Sequence, residues 1–254
     1  MIPPATTIPA ATAIGFALVL ARCAGAVMLL PGWAETEVPA MIRAAVALAL
    51  AVLVWPGVAA TLPAVGDDGA TLLAMLAREL LAGASLGFLA RLVTLALPMA
   101  GQMLSVMIGL ASVLQTDAAI GAQQTAIARL FGLVAPLLIL GGGLHQLPLR
   151  ALVGSYRLWP AGAMPIGALP AVIGGIADGF ALALRLAAPF LLASVLMQVA
   201  LGLLGRLVPQ VQVFLVAVPG QVLGGMVLLA ALGAAILRAW GDGAASVLAA
   251  LPGL

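Results

Sequence analysis

The sequence predicts an all-α membrane protein, from its composition, its long charge-free runs and the positions of its prolines. Of the 254 residues, 65% are hydrophobic and 7% are charged, whereas a soluble domain carries about 25% charged residues. A helix needs roughly 20 apolar residues to cross a bilayer. Five charge-free runs reach about this length: 44–66, 92–116, 130–149, 186–205 and 207–237.

A proline lies inside each of these runs, which indicates that the helices are bent or broken. Proline removes a helical hydrogen bond that lipid cannot replace, so a broken helix at membrane depth needs protein or water beside it. We therefore predict about six hydrophobic segments that form bent, broken helical hairpins within one domain, residues 1–254. The prolines are Pro56, Pro98, Pro136, Pro189 and Pro219.

The first two segments are separated by an acidic loop. Segment one covers about residues 11–30 and ends at Pro31. Glu35 and Glu37 follow before the second segment, which covers about residues 44–62. Two carboxylates so close together indicate a surface loop between the two helices.

The third segment carries the most informative pattern of the chain. Glu79, Gly83, Gly87 and Arg91 recur at four-residue steps, so they lie along one face of a helix. Glycine lets another backbone come close. We expect this face to pack on partner chains.

Methionine recurs on the same segment after Pro98. Met99, Met103 and Met107 are also four residues apart. This spacing is typical of core packing on one helix face, and the alternative is a flexible seal around a pore. A central polar loop then follows, at about residues 109–124, with Gln115, Thr116, Asp117, Gln123 and Gln124. Polar side chains in the middle of an apolar chain indicate a water path or a contact with other chains.

The later segments frame a second loop. Segment four covers about residues 124–144, and segments five and six cover about 179–205 and 211–238. Between them, about residues 145–178 are predicted as a proline-rich surface loop with an interfacial piece. We expect Tyr156 and Trp159 to lie there at the level of the lipid headgroups.

Four charges fall inside or beside the segments: Arg22, Glu79, Arg91 and Arg185. Each would cost about 2.5–3.5 kcal/mol at the centre of a lipid-facing helix. We expect several of them to face partner chains or a polar lumen. For Glu79 the alternative is an ion pair with a neighbour such as Arg78 or Arg91.

Several chemical classes find little support. One Cys and one His give no metal-binding spacing, and a chain without Lys has no phosphate-binding loop, so no cofactor is predicted. A net charge of +2 gives no basic surface for nucleic acid. Gly83-Ala84-Ser85-Leu86-Gly87 fits the G-x-S-x-G motif, and His145 lies downstream, so an intramembrane serine protease is an alternative. The motif requires a strand-to-helix turn, whereas Ser85 lies in a predicted helix.

A self-contained secondary transporter is another alternative, since broken helices surround the central site of many carriers. The sequence has no visible inverted repeat, and Glu79 and Asp117 are few acids for an ion-coupled carrier. Uptake by the purified chain alone would distinguish a carrier from a subunit.

From Arg206 to Gln221 the chain reads RLVPQVQVFLVAVPGQ. This stretch resembles the FliR family, the flagellar export-gate proteins and their injectisome counterparts in type III secretion. The family signature is similar to Pro-Gln-x-Asn-x-Phe followed by a proline. The matching residues are Pro209, Gln210, Phe214 and Pro219. Gln212 stands where the family usually has Asn, so an amide is retained.

The resemblance extends over most of the chain by the order and spacing of its residues. The residues that carry it are Arg22, Gly25, Pro31, Val38, Pro39, Arg43, Glu79, Gly83, Gly87, Gly101 and Gly109. One further departure is Ala118, which follows Asp117 where Asp-Pro is common in the family. Without proline the turn after Asp117 loses its fixed φ.

The resemblance implies a non-enzymatic subunit of the flagellar type III protein export gate, or of its injectisome counterpart. The subunit would join two smaller helical membrane proteins and an export switch protein in a hetero-oligomeric gate at the flagellar basal body, in the bacterial inner membrane. Its helical hairpins would stack around a conduit for unfolded export substrates, with membrane lipid outside.

The resemblance also assigns surfaces. The loop over about residues 109–124 would plug the closed pore, through Gly109, Gln115, Thr116, Asp117, Gly121, Gln123 and Gln124. The partner surface would comprise Glu79, Gly83, Gly87 and Arg91 together with Pro209, Gln210, Gln212, Phe214 and Pro219.

Overall fold

Seven α-helices form among the residues that the structure describes, and apolar side chains make up most of each helix. The structure is a computed structural model, and it describes residues 9–63, 68–110, 125–207 and 213–254. The helices are α1 Ala10–Val27, α2 Ala40–Val58, α3 Gly69–Met107, α4 Ala126–Gly141, α5 Gln146–Leu158, α6 Ala168–Leu207 and α7 Val213–Ala249. No strand occurs in these ranges. The predicted all-α class is confirmed.

Four of the described helices are long and apolar enough to cross a membrane, namely α2 with its last 3₁₀ turn, α3, α6 and most of α7. A fifth candidate is the pair of α4 and α5, which is bent by 69°. Gly143 lies in this bend with φ of 74°, a conformation that glycine adopts without strain. The membrane class that composition predicts is therefore confirmed.

The helices continue through their prolines instead of ending at them. Pro56, Pro98, Pro136, Pro189 and Pro219 each lie inside a helix. A proline removes one hydrogen bond, but the residues on both sides still form theirs, so a long helix can run on. The ends of α3 and α4 do not fall at their prolines. α3 ends just before Gly109 and α4 ends at Gly141.

α3 begins earlier than the charge-free run of residues 92–116 predicts. α3 begins at Gly69, directly after Asp68, whose carboxylate accepts hydrogen bonds from the N–H groups of Ala70 and Thr71. Asp68 thus caps the free N–H groups of the helix start. The hydroxyl and N–H of Thr71 and the N–H of Ala70 hold the pKa of Asp68 below its ordinary value.

The proline-rich loop predicted for about residues 145–178 is shorter in the structure. α5 occupies 146–158 and α6 begins at Ala168, which leaves 159–167 as the connection. Pro170 lies in the first turn of α6, where backbone N–H groups need no helical partner, so proline is tolerated there. Proline therefore marks the start of a helix here.

The chain divides into two compact units. The first comprises Met1–Leu92, Ile139–Gly175 and Val247–Leu254, and the second comprises Val93–Leu138 and Ile176–Ser246. In the second unit, the indole N–H of the fully buried Trp240 donates a hydrogen bond of 3.0 Å to the carbonyl of Val93. The single-domain interpretation stays a prediction.

Candidate functional site

A buried ion pair joins α1 to α3 in the first unit. Arg22 donates from Nε to Glu79 Oε2 at 2.8 Å and from Nη2 to Glu79 Oε1 at 3.0 Å. Both side chains have no exposed surface. Two parallel hydrogen bonds fix the relative orientation of the two planar groups, so the pair sets the register of α1 against α3.

The rest of the Arg22 guanidinium contacts α5 and the residue after it. Nη1 lies 3.1 Å from the hydroxyl oxygen of Ser155, and Nη2 donates to the carbonyl of Trp159 at 3.0 Å. The ring of Tyr156 lies beneath the guanidinium, 3.9 Å from its central carbon to the ring centroid. A buried charge is tolerated when its hydrogen-bonding groups are satisfied in this way.

Glu79 also contacts the connection after α5. Its Oε1 accepts a hydrogen bond of 2.7 Å from the N–H of Gly162, whose φ is 81°. Arg78 donates to the carbonyl of the same glycine at 3.1 Å. We call Arg22, Glu79, Ser155, Tyr156, Trp159 and Gly162 the ion-pair cluster. The cluster holds α1, α3, α5 and the start of the next connection together.

The ion-pair cluster and a separate contact between Arg91 and Glu35 correct three expectations. Glu79 pairs with Arg22 and not with Arg78 or Arg91, because α1 packs directly on α3. Arg91 pairs instead with Glu35 at 3.5 Å, and about a quarter of each side chain is exposed. Tyr156 and Trp159 are buried, the ring of Tyr156 against the Arg22 guanidinium, and do not lie in an exposed surface loop.

The glycine face of α3 is covered by α1 of the same chain. A Cβ atom at Gly83 would overlap the carbonyl oxygen of Arg22, and one at Gly87 would lie 2.5 Å from that of Ala26. In the other direction, a Cβ at Gly25 would overlap the carbonyl oxygen of Leu80. Sequence reasoning places partner chains on this face. In the structure these glycines pack the first unit itself.

A second arrangement lies at the end of α3, in the second unit. We call Met107, Ile108 and Gly109 the α3 end. Gln221 of α7 donates from Nε2 to the carbonyl of Met107 at 2.7 Å. Gly109 has φ of 79°, which ends the helix in a conformation that favours glycine. The first residue of the predicted plug is thus held beside α7.

The three methionines that follow Pro98 on α3 are not buried in a core. Met99 is 38% exposed, and Met103 and Met107 are half-buried. The sulfur of Met107 lies 3.2 Å from the hydroxyl oxygen of Ser194 on α6. Partial exposure does not fit simple core packing, and the role as a pore seal stays a prediction.

Most of the predicted plug and part of the late signature lie outside the described residues. These positions are Gln115, Thr116, Asp117, Gly121, Gln123, Gln124, Pro209, Gln210, Gln212 and the side chain of Phe214. Pro219 is described and is exposed on α7. Their predicted roles stay predictions.

The serine and histidine of the protease alternative serve other contacts. Ser85 lies in the middle of α3, where its hydroxyl donates to the carbonyl of Ala82 at 2.8 Å. The ring of His145 meets the ring of Trp33 edge-on, with centroids 6.4 Å apart. The G-x-S-x-G residues therefore form a helix where the protease motif needs a strand-to-helix turn. Across the described ranges, no three His, Cys, Asp or Glu residues are grouped to hold a metal ion.

Sequence reasoning did not find the Arg22–Glu79 pair or the contact made by Gln221. Arg22 and Glu79 are 57 residues apart, so no helical periodicity relates them. The sequence does show that Arg22 and Glu79 carry opposite charges and that each lies in an apolar segment. Gln221 likewise is an amide in an apolar run, and such a group needs a partner when it is shielded from water.

Comparison with known proteins gives consistent matches over most of the chain. The sequence model described as bacterial export proteins, family 1, matches residues 13–246. The flagellar biosynthetic protein FliR of Caulobacter vibrioides is 32% identical over 228 residues, which covers 89% of this chain and 91% of that protein. FliR of Escherichia coli is 27% identical over 84% of this chain and 82% of its own length. Yop proteins translocation protein T of Yersinia pestis is 29% identical over 70% of each chain.

Proposed function

Because the chain belongs to the bacterial export proteins, family 1, we propose that it is a membrane subunit of the flagellar type III protein export gate. The observation that carries the proposal is the match over residues 13–246 together with the similarity to FliR proteins over most of their length. The subunit would act without catalysis, by lining and closing a conduit for unfolded export substrates.

The environment of Arg185 supports a role for the chain within a larger assembly. This residue is exposed near the middle of the apolar helix α6, and the described part of the chain gives it no ion pair. An arginine facing lipid at such a position would cost about 2.5–3.5 kcal/mol. We propose that it faces a partner subunit or a polar lumen. The partners would be two smaller helical membrane proteins and the export switch protein, at the basal body in the inner membrane.

Closure of the conduit is assigned to the polar loop over about residues 109–124. The α3 end supports this assignment, because the helix leading to the loop is fixed to α7 through Gln221. A fixed base would let a polar loop keep one position in a pore.

Deletion of Gln115–Ala122 tests the closing role. We expect ions to leak through the inner membrane of cells that assemble the shortened protein, because the pore would lack its plug. A control variant replaces the same residues with glycine and serine, which keeps the length of the loop and removes its side chains. Unchanged ion retention together with unchanged export by the deletion would refute the closing role.

An injectisome subunit is the second candidate, since Yop proteins translocation protein T is similar over 70% of this chain. Removal of the gene distinguishes the two. Loss of flagellar filaments and motility supports the flagellar gate, whereas loss of effector secretion with normal motility supports the injectisome.

A further inference from the structure

Among the described residues, a polar contact and a packing contact join the α3 end to α7. The polar contact runs from Gln221 Nε2 to the carbonyl of Met107 at 2.7 Å. The packing contact is between Ile108 and Gly225, where an added Cβ would overlap the Ile108 side chain and lie 3.3 Å from its Cα. Both contacts come from one face of α7, because residues four apart share a helix face.

The hydrogen bond from Gln221 meets a specific need of the helix. The last four carbonyls of an α-helix have no helical N–H partner, and Met107 is the last residue of α3. Water is scarce beside apolar helices, so a side-chain amide is an effective substitute. Gln221 is half-buried, and its Cδ lies 3.7 Å from the position that a Cβ of Gly109 would take.

A cavity of about 280 Å³ adjoins the α3 end. Met107 and Ile108 line one part of its wall, and residues of α6 and α7, including Phe190, Met197 and Leu228, line the rest. This pocket is partly open to the outside of the chain, and it lies directly beside Met107 and Ile108. The α3 end therefore has room to shift without displacing α6 or α7.

The contact with α6 is easily released. The hydroxyl of Ser194 lies 3.2 Å from the Met107 sulfur and 2.9 Å from the carbonyl of Leu191. A hydroxyl has a single hydrogen, and a carbonyl oxygen is a better acceptor than a thioether. Ser194 therefore keeps a partner when Met107 moves, whereas Gln221 donates its hydrogen bond to the carbonyl of Met107 itself.

We propose that Gln221 is the positioning residue of the gate: its amide holds the α3 end on α7 in the closed state, and release of that hydrogen bond lets Met107 and Ile108 move into the adjoining cavity. The proposal rests on the proposed function, since it takes the α3 end as the base of the plug. It concerns only the described residues 107–109, 194 and 221–228.

The local part of the proposal is tested by amide hydrogen exchange on the full-length protein in its membrane complex. The reporters are the N–H groups of Ile108 and Gly109, which donate to Leu104 and Val106 at 2.9 and 3.2 Å. Gln221→Met keeps the length of the side chain and removes the donor. We expect exchange at the reporters to become roughly two- to tenfold faster, the change that one net hydrogen bond supports.

Gln198→Met is the matched control, because Gln198 is an exposed glutamine on α6. It should leave exchange at the reporters unchanged. Equal exchange in the Gln221 variant and the wild type would overturn the proposal, as would equal acceleration in the two variants.

Neighbouring glycines of α7 provide a second and independent test. Gly225→Ala would push on Ile108, whereas a Cβ at Gly224 meets nothing within 4 Å. We expect faster exchange at the reporters for Gly225→Ala and no change for Gly224→Ala. Protection retained in Gly225→Ala would show that the α3 end is not held by this face of α7.

Ion leakage separates the proposal from the function on which it rests. If deletion of Gln115–Ala122 causes leakage and Gln221→Met does not, the proposed function stands and the positioning role of Gln221 is wrong. If Gln221→Met loosens the α3 end and neither variant causes leakage, Gln221 holds the helix end and the closing function is wrong. Leakage from both variants, with leakage absent in Gln198→Met, supports both.

Discussion

Replacement of Glu79 with Leu is expected to destabilise the protein by about 3–5 kcal/mol, because it leaves the Arg22 guanidinium buried without a counter-charge. Arg22 and Glu79 have no exposed surface, so water cannot replace the lost carboxylate. The N–H of Gly162 also loses its acceptor. A loss of this size corresponds to a fall in Tm of roughly 6–20 °C for a chain of this length.

The measurement is thermal unfolding of the purified protein in detergent, followed by tryptophan fluorescence. Arg22→Met should be similarly harmful, whereas the double variant Arg22→Met, Glu79→Met should recover much of the stability, since an apolar pair needs no counter-charge. Arg185→Met is the matched control, because Arg185 is exposed on α6. A Tm equal to wild type for Glu79→Leu would mean that the ion-pair cluster does not hold the first unit together.

Gly83→Ala is expected to lower the free energy of unfolding by about 1–3 kcal/mol or more, although it adds a single methyl group. The new Cβ would overlap the carbonyl oxygen of Arg22 and lie 2.9 Å from the backbone nitrogen of Ala26. Backbone atoms inside a helix cannot swing aside as a side chain can, so α1 and α3 must separate. The ion-pair cluster depends on the same helix contact and should weaken with it.

Gly202→Ala is the control for this substitution. Gly202 lies in α6 and a Cβ there meets nothing within 4 Å. Alanine should stabilise the helix at that position by about 0.5–1 kcal/mol, because glycine has more conformational freedom to lose. Protease resistance in detergent compares the two variants. Equal stability of Gly83→Ala and the wild type would show that α1 and α3 are not in backbone contact.

Local patterns in the sequence were sufficient for the fold class and for the residues of the α1–α3 contact, but not for the identity of the contact partner. The four-residue spacing of Glu79, Gly83 and Gly87 correctly predicts one helix face. Which surface covers that face depends on α1, whose Arg22 lies 57 residues away. Periodicity describes a single helix and carries no information on which helices meet.

The start of α3 also depends partly on local sequence and partly on contacts with residues distant in the chain. Asp68 caps α3, and an Asp directly before an apolar helical run is a known signal for a helix start. The charge-free run of residues 92–116 begins only after Arg91, and Arg78 and Glu79 interrupt the helix still earlier. Both charges are tolerated inside the helix through contacts with Gly162, and in the case of Glu79 with Arg22, which the linear sequence does not reveal.

The position of Arg22 has a consequence for the synthesis of the protein. The ribosome makes Arg22 57 residues before Glu79 and 133 residues before Ser155. At about 5–20 residues per second, the guanidinium waits roughly 3–11 s for its carboxylate. During that interval α1 is a marginal membrane segment, because an unpaired arginine opposes its transfer into lipid. We expect α1 to stay beside the insertion machinery until α3 emerges, so that the two helices enter the bilayer as a pair.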